Sequence, residues 1–191
     1  MVKNSFNIII AGVGGQGLIT LTQILAEAAF LEGQDIKTSE LHGLSQRGGS
    51  VETYIRFGKK IHSPLINEGK ADLVLGLEIQ EGLRKISFSP TKTIFVVNNN
   101  YISYYGGLDK GEIEQKIKSL LKNRLYLISA STLCKKELGN EVVSGIYLLG
   151  YCVFKKLIPL KPESILKAIS KIIPEKYLEL NKKAFELAKN D

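Results

Sequence analysis

The chain has 191 residues, 44% of them hydrophobic, which is enough to fill one sizeable core and predicts a single domain over residues 1–191. The net charge is +7, but most of the lysines are spread from Lys59 to Lys189, often at helical spacing, and indicate a solvated surface rather than a nucleic-acid interface. The only cysteines, Cys134 and Cys152, form no CxxC pattern, which argues against a disulfide framework or cysteine-ligated metal and predicts a reducing, cytoplasmic location.

No stretch of the sequence has the features of an export or membrane segment. The N-terminus passes quickly into a short apolar run without a cleavage-site pattern, so no signal peptide is predicted. The longest uncharged apolar stretch, residues 142–154, is too short to cross a bilayer. We expect this stretch to be packed on several sides, by the core or by a partner subunit, because it is more apolar than a surface helix needs to be.

The first predicted unit is a strand, a glycine turn and a helix. Residues 6–11 form a compact apolar run, and apolar side chains recur at helical spacing from Leu18 onward. Between them stands the sequence GVGGQG, which contributes Gly12, Gly14, Gly15, Gln16 and Gly17. A turn of this kind between a strand and a helix allows a phosphate group to approach the backbone closely.

The residues alone allow two interpretations of this turn. The pattern G-x-G-x-x-G is typical of NAD- and FAD-binding folds, and Glu40, 23 positions after Gly17, fits the expected ribose-binding carboxylate. That hypothesis makes the chain a free-standing NAD- or flavin-dependent oxidoreductase. A glycine turn is also needed merely to pack a helix against a strand, and it can bind other anions.

A second glycine loop follows the strand predicted at residues 36–40. Residues 41–50 contain too many glycines for a helix and predict a long loop, where functional residues tend to lie. Its polar and glycine residues include Gln46, Arg47, Gly48, Gly49 and Ser50. A guanidinium, a carboxamide and a hydroxyl beside exposed backbone N–H groups suit a phosphate or a carboxylate. His42 is a candidate acid or base here, although a lone histidine is more often a hydrogen-bonding loop residue.

An antiparallel excursion is predicted next in the chain. Apolar and polar residues alternate over residues 51–57, and a turn at residues 58–60 leads into residues 61–63, just before Pro64. Further short runs, apolar or β-branched, are typical of strands covered on both faces. These runs are residues 73–77, 93–97 and 125–128.

Helices are predicted around Leu83, at residues 110–122 and from Glu141 onward. The prolines that divide the tail into three helical pieces are Pro159, Pro162 and Pro174. The predicted fold class is therefore α/β, a Rossmann-like doubly wound and mostly parallel sheet with an antiparallel excursion and a helical C-terminal segment. In such a sheet both glycine loops leave the carboxyl ends of strands, so we expect them to converge there.

Several segments together resemble a known family. They are residues 12–17 (GVGGQG), 39–51 (SELHGLSQRGGSV), 63–66 (SPLI) and 68–72 (EGKAD). Over nearly its whole length the chain resembles the beta subunits of indolepyruvate ferredoxin oxidoreductases. It is also similar to the gamma subunit or domain of pyruvate and 2-oxoglutarate ferredoxin oxidoreductases, which shares the GxGGQG and RGG elements. The lead-in from His42 to Arg47 favours the indolepyruvate branch, with another 2-oxoacid gamma subunit as the alternative.

The resemblance implies a division of labour between two chains. Thiamine diphosphate and iron–sulfur clusters would belong to a separate large alpha subunit, and this chain alone would bind no cofactor. The holoenzyme would oxidatively decarboxylate an aryl 2-oxoacid with coenzyme A as cosubstrate and reduce ferredoxin. The small subunit would contribute closure, positioning and charge, for which Arg47 and the two glycine loops are the candidates. No nucleic-acid or membrane partner is expected.

Overall fold

The computed structural model describes residues 5–43, 49–89, 91–103 and 107–191, which form a six-stranded mixed sheet with helices on both faces. The strands are β1 (Ser5–Val13), β2 (Asp35–His42), β3 (Ser50–Gly58), β4 (Leu73–Gly76), β5 (Ile94–Asn98) and β6 (Leu125–Ile128). Their order across the sheet is β2-β3-β1-β4-β5-β6. The pairs β1–β4, β4–β5 and β5–β6 are parallel, and β3 is antiparallel to both β1 and β2. The predicted fold class is confirmed.

The predicted antiparallel excursion is strand β3, and its two neighbours in the sheet were not predicted from the sequence. β3 lies between β2 and β1, with Ile55 opposite Ile8 on one side and Thr38 on the other. Residues 61–63 form no strand. Ile61 is buried, and its N–H donates to the Asp35 carboxylate at 2.7 Å. The physical reason is burial, because Ile55 is fully enclosed and a strand with such residues is stabilised more in the middle of a sheet than at an edge.

The helices divide between the two faces of the sheet. They are α1 (Leu18–Leu31), α2 (Ile79–Arg84), α3 (Lys110–Leu121), α4 (Ala130–Leu138), α5 (Ser144–Phe154), α6 (Pro162–Ile172) and α7 (Glu175–Leu187). The larger core joins Ile8 and Ile10 of β1 to α1 and to the helices α4 to α7. The smaller core joins Ile9 of the same strand to α2 and α3. Successive side chains of β1 thus face opposite cores, which explains its continuous apolar run.

The apolar stretch at residues 142–154 is a central helix, as the sequence predicted. Within α5, Tyr147 and Cys152 are buried in the larger core. The helix contacts α7 so closely that a Cβ added at Gly150 would lie 2.5 Å from the Phe185 carbonyl oxygen. Pro162 stands in the first turn of α6, where its missing N–H removes no helical hydrogen bond. Only the start of the stretch, at Val142, is exposed.

Helix α4 was not predicted, and the structure shows why. Its buried side chains are Ala130 and Cys134, a single i,i+4 pair that gives too short an apolar period to recognise. Its start is fixed by a distant residue, since the Asn98 carboxamide oxygen accepts from the Ser131 N–H at 3.3 Å and its amide donates to the Ser131 hydroxyl at 2.8 Å. Among the described residues, no helix has the length and apolarity needed to cross a bilayer.

Candidate functional site

The first glycine loop, residues 12–17, is closed by its own side chain. The Val13 N–H donates to Gln16 Oε1 at 2.8 Å, and the Gln16 N–H donates to the Val13 carbonyl at 3.1 Å. Gly15 and Gly17 have φ values of 101° and 78°, a region that side-chain-bearing residues rarely occupy. The carboxamide oxygen of Gln16, a residue of the predicted ligand or subunit-interface loop, therefore stabilises the loop itself.

Gly12 is required by the space that this closure leaves. A Cβ added at Gly12 would lie 2.7 Å from Gln16 Oε1 and 3.1 Å from the Leu77 Cβ. Glycine at position 12 thus leaves room for the Gln16 side chain to fold back toward Val13. It also lets β1 lie close to the end of β4. After Gly17, α1 begins without a side-chain cap, so the backbone N–H groups of its first turn remain at the loop.

The second glycine loop, residues 41–50, meets the first at the carboxyl edge of the sheet. The Gly14 N–H donates to the Gly49 carbonyl at 2.9 Å, and Ser50 begins β3 directly afterwards. The predicted convergence of the two loops is confirmed at this bond. His42 ends β2. The His42 side chain and residues 44–48, with Gln46, Arg47 and Gly48, lie outside the described residues.

Glu40 lies beside the first loop, as the ribose-binding hypothesis requires. It pairs with Thr53 across β2 and β3, and its side chain is exposed. A groove of about 530 Å³ is lined by Glu40 together with Gly14, Gly15 and Gly17. Geometry alone therefore leaves a dinucleotide possible at this position.

A second cleft opens at the switch point of the sheet, between the carboxyl ends of β1 and β4. Helix α1 leaves β1 toward the larger core and α2 leaves β4 toward the smaller one, which is the arrangement where α/β folds bind ligands. The cleft has a volume of about 470 Å³. Its lining residues are Val13, Ser50, Glu78, Gln80, Glu81, Arg84, Ile102 and Ser103.

Two buried glutamates at the start of α2 dominate this cleft, and the sequence analysis did not identify them. Glu78 is 2% exposed and Glu81 is 5% exposed. Carboxylates are rarely so buried unless they are hydrogen-bonded, so both should have defined partners. The signal available in the sequence was their place directly after the apolar run of β4, three residues apart.

Glu78 connects α2 to the connection that follows β5. Its Oε2 accepts from the backbone N–H groups of Gln80 at 2.8 Å and Glu81 at 2.9 Å, which caps the helix. Its Oε1 accepts from the Ile102 N–H at 3.3 Å. Burial raises the pKa of the Glu78 carboxyl group, and these three N–H donors act in the opposite direction.

Glu81 connects α2 to the end of the second glycine loop. Its Oε2 accepts from the Ser50 hydroxyl at 2.6 Å, and its Oε1 accepts from the Arg84 guanidinium at 2.8 Å. Both oxygens are thus held by charge-assisted hydrogen bonds, which are stronger than neutral ones. The sequence analysis singled out Ser50, and the structure shows that its hydroxyl is bound to Glu81.

An apolar groove borders the first loop on the side of α1. It has a volume of about 510 Å³ and extends from Gln16 and Gly17 to the helices of the C-terminal segment. Val142 and Tyr177, both exposed, lie along it. Ile19 and Ile102 are also exposed near the same edge, on α1 and after β5. Exposed apolar side chains around one edge are typical of a protein–protein contact surface.

The two cysteines are core residues. Both thiols are free and buried, and burial raises the pKa of Cys134 to about 11 and that of Cys152 further above its usual range. Thiols with such high pKa values are poor nucleophiles and poor metal ligands near neutral pH. In the part of the chain that the structure describes, no three His, Cys, Asp or Glu residues are grouped to hold a metal ion.

Comparison with known proteins gives consistent matches over almost the whole chain. Residues 7–190 match the family model of pyruvate ferredoxin/flavodoxin oxidoreductase. Indolepyruvate oxidoreductase subunit IorB of Archaeoglobus fulgidus is 35% identical, covering 96% of this chain and 94% of the relative. Subunit IorB of Thermococcus kodakarensis is 34% identical, with 95% and 93% covered. The keto/oxoacid ferredoxin oxidoreductase gamma subunit of Geobacter sulfurreducens has the same fold, with a TM-score of 0.71 at 23% identity over 97% of this chain and 96% of that one.

Proposed function

We infer the function of this chain from its family, because the chain belongs to the pyruvate ferredoxin/flavodoxin oxidoreductase family. Within that family it is the small subunit of an indolepyruvate-type ferredoxin oxidoreductase, which oxidatively decarboxylates aryl 2-oxoacids to acyl-coenzyme A. The observation that carries the proposal is the 34–35% identity, over at least 95% of the chain, to relatives named as indolepyruvate oxidoreductase subunits. We further propose that residues 1–191 are one gamma-type domain that acts in the cytoplasm.

The cofactors of this reaction fit a partner chain better than this one. Iron–sulfur clusters are held mainly by sets of cysteines, and this chain has two cysteines, both buried in the core. Thiamine diphosphate would stabilise the carbanion left by decarboxylation, and the clusters would carry the electrons to ferredoxin. We assign both groups to a large alpha subunit.

The contribution of this chain would be positioning and charge at the carboxyl edge of its sheet. The uncapped first turn of α1, after Gly17, directs backbone N–H groups toward the first loop, where they favour an anion. Arg47 would add a guanidinium from the second loop, which Gly49 joins to the first loop. The anions available in this reaction are the carboxylate of the 2-oxoacid and the phosphates of coenzyme A, and either suits such donors.

The exposed apolar side chains at the same edge suit the partner subunit. A small subunit that completes a site on a larger chain needs its contact surface beside its functional loops, and Val142 lies 77% exposed next to Gln16. Replacing Val142 by Asp should weaken co-purification of the large chain while leaving the fold intact, because the side chain is in water in the free subunit. Tagged pull-down from a strain that expresses both chains measures the effect, and Phe30, an apolar residue on another surface that is 67% exposed, is the control position.

The free-standing dinucleotide enzyme is the weaker candidate. Glu40 beside the first loop is the observation in its favour, but the family to which the chain belongs is one of ferredoxin-linked complexes. A flavin or NAD retained in stoichiometric amount by the purified chain would support that candidate, whereas a colourless chain, inactive alone, agrees with the subunit proposal.

The direct test is the activity of the assembled enzyme. The tagged chain should co-purify with a large brown chain, and the complex should reduce viologen dye in the presence of coenzyme A and indolepyruvate or phenylpyruvate. Pyruvate and 2-oxoglutarate serve as comparison substrates, and a preference for either of them would assign the chain to another branch of the family. Failure to reduce dye with any 2-oxoacid would contradict the proposal.

A further inference from the structure

Three side-chain pairs connect strand β3 to the segment that begins with α2. Counting from the carboxyl edge of the sheet, Ser50 donates to Glu81, Glu52 forms an ion pair with Lys85, and the Tyr54 ring contacts the Phe88 ring. The two aromatic rings lie 6.0 Å apart between centroids. We call these three pairs the β3–α2 ladder.

The spacing of the ladder follows from backbone geometry. Two residues of a strand advance about 6.8 Å, and four residues of an α-helix advance about 6 Å. The pairs use every second residue of β3, and the first two use positions 81 and 85, four apart. From residue 85 to residue 88 the chain passes through a 3₁₀ turn, whose greater rise of about 2 Å per residue again covers about 6 Å in three residues. The two segments therefore stay in step.

Ser50 itself is exposed, but its partner Glu81 is buried, and the second and third pairs of the ladder are largely shielded from water. The side chains of Lys85 and Glu52 are 13% and 17% exposed, and the Lys85 ammonium group lies 5.8 Å from the centre of the Phe88 ring. The Tyr54 hydroxyl donates to the second oxygen of Glu52 at 3.0 Å. The second and third pairs thus share partners, because the Tyr54 hydroxyl and the Phe88 ring both contact the Glu52–Lys85 ion pair.

We propose that Glu81 is a positioning residue, which fixes through Ser50 the point at which the second glycine loop enters the sheet. The inference rests on the proposed function insofar as that loop serves the reaction. Its physical basis is the contrast within the ladder. The pair nearest the loop is a short bond to a buried carboxylate, which constrains direction, whereas the pair farthest from it is an aromatic contact, which tolerates sliding. Together with the bond from Gly14 to Gly49, it holds the loop end from two sides.

The test in the assembled enzyme uses substitutions of Ser50. Ser50→Ala removes the hydroxyl that binds Glu81, and we expect about a tenfold fall in kcat/KM for the aryl 2-oxoacid or coenzyme A, with normal subunit stoichiometry. Ser50→Thr keeps the hydroxyl and suits a strand, so it should restore at least half of wild-type activity. If Ser50 only stabilised the fold, Ser50→Ala would impair assembly as well. A loss of turnover that Ser50→Thr reverses, at constant subunit stoichiometry, therefore indicates positioning.

The matched control lies on the same strand. Tyr54→Phe removes the hydroxyl that donates to Glu52 but leaves the Ser50–Glu81 bond in place, so turnover should equal that of the wild type. Glu81→Gln keeps the shape of the side chain and weakens its hydrogen bonds to Ser50 and Arg84. It should therefore behave as Ser50→Ala does, and the double variant should lose no more than the greater single variant.

A second measurement does not depend on the reaction. In the full chain, trypsin cleavage after Arg47, followed by peptide mass mapping, should be several-fold faster for Ser50→Ala and Glu81→Gln than for the wild type and Tyr54→Phe. If the wild-type complex oxidises no 2-oxoacid, the proposed function fails and the cleavage rates alone decide this inference. Unchanged cleavage in both variants overturns it, and so does faster cleavage with wild-type turnover in an active complex.

Discussion

The first glycine loop is closed from within, by the Gln16 carboxamide, whereas the end of the second is held from outside, by Glu81 and by the first loop. A loop closed by its own side chain can be recognised in a short sequence motif, because every residue that shapes it lies within the motif. A loop held by a distant helix depends on residues that the motif does not contain. The two loops should therefore respond differently to substitution, and the predictions below test that difference.

The largest effect is expected at Arg47, in the loop held from outside. Arg47→Ala should lower turnover efficiency of the assembled enzyme about tenfold to hundredfold, which corresponds to roughly 1.5–3 kcal/mol for one charge-assisted contact. Dye reduction with an aryl 2-oxoacid measures this effect. If Arg47 holds the subunits together instead, the large chain should fail to co-purify. Wild-type values for both activity and subunit retention would show that Arg47 only secures its own loop or does nothing.

The next effect concerns the stability of the loop closed from within. Gly12→Ala places a methyl group 2.7 Å from Gln16 Oε1 and 3.1 Å from the Leu77 Cβ, and should reduce the free energy of unfolding by about 1–3 kcal/mol. Gly43→Ala, at the start of the second loop, is the matched control, because its added Cβ meets no atom within 4 Å. Urea unfolding of both variants gives the comparison, and equal stabilities would contradict it.

A smaller loss of stability is expected from Gln16→Met. Methionine has nearly the same length as glutamine but cannot replace the carboxamide oxygen that accepts the hydrogen bond from the Val13 N–H. The free energy of unfolding of the variant should therefore fall by about 1 kcal/mol. Gln34, which is partly exposed on the opposite edge, is a suitable control position for the same substitution. A Gln16→Met variant as stable as the wild type would mean that the carboxamide does not close the loop.

The smallest effect is a pH dependence at the cleft between the carboxyl ends of β1 and β4. Because the folded pKa of Glu78 is raised, the unfolded chain ionises first as pH rises. Its contribution to stability is therefore complete below the ordinary glutamate pKa and is lost as pH rises through the folded pKa. Urea unfolding from acidic to neutral pH should show this decline in the wild type relative to Glu78→Gln. A constant difference between the two proteins across that range would refute the assignment.

Much of the fold followed from local patterns. The apolar runs of β1, β4, β5 and β6 and the prolines around α6 were sufficient, because burial on both faces and a missing N–H leave direct traces in the sequence. Helix α4 and the partners of β3 were not accessible in this way. The start of α4 depends on Asn98, 33 residues away from Ser131, and the place of β3 depends on two strands at once.

The residues of the candidate site likewise separate into those that a local motif identifies and those that depend on distant contacts. The motifs identified Gly12 and Gly17 and predicted that the two loops meet, which follows from strand direction alone. They also placed Gln16 in a ligand or subunit-interface loop, which stays a prediction, and the structure adds that its carboxamide oxygen accepts from the Val13 N–H. Glu78 and Glu81 were missed because their place after the apolar run of β4 does not by itself indicate burial, which arises only when α2 packs over β3. The roles of His42, Gln46 and Arg47 stay predictions.

The hairpin connection between β2 and β3 has a consequence for how this chain could diversify. Most connections in a doubly wound sheet run through a helix packed on one face, so a change in length there disturbs the core. The second loop instead joins two adjacent antiparallel strands, and its ends are fixed by main-chain pairing at His42 and Val51. Doubling the length of such a loop costs only about 0.6 kcal/mol in closure entropy. Natural or laboratory evolution can therefore replace this segment with loops of other lengths while the scaffold remains the same.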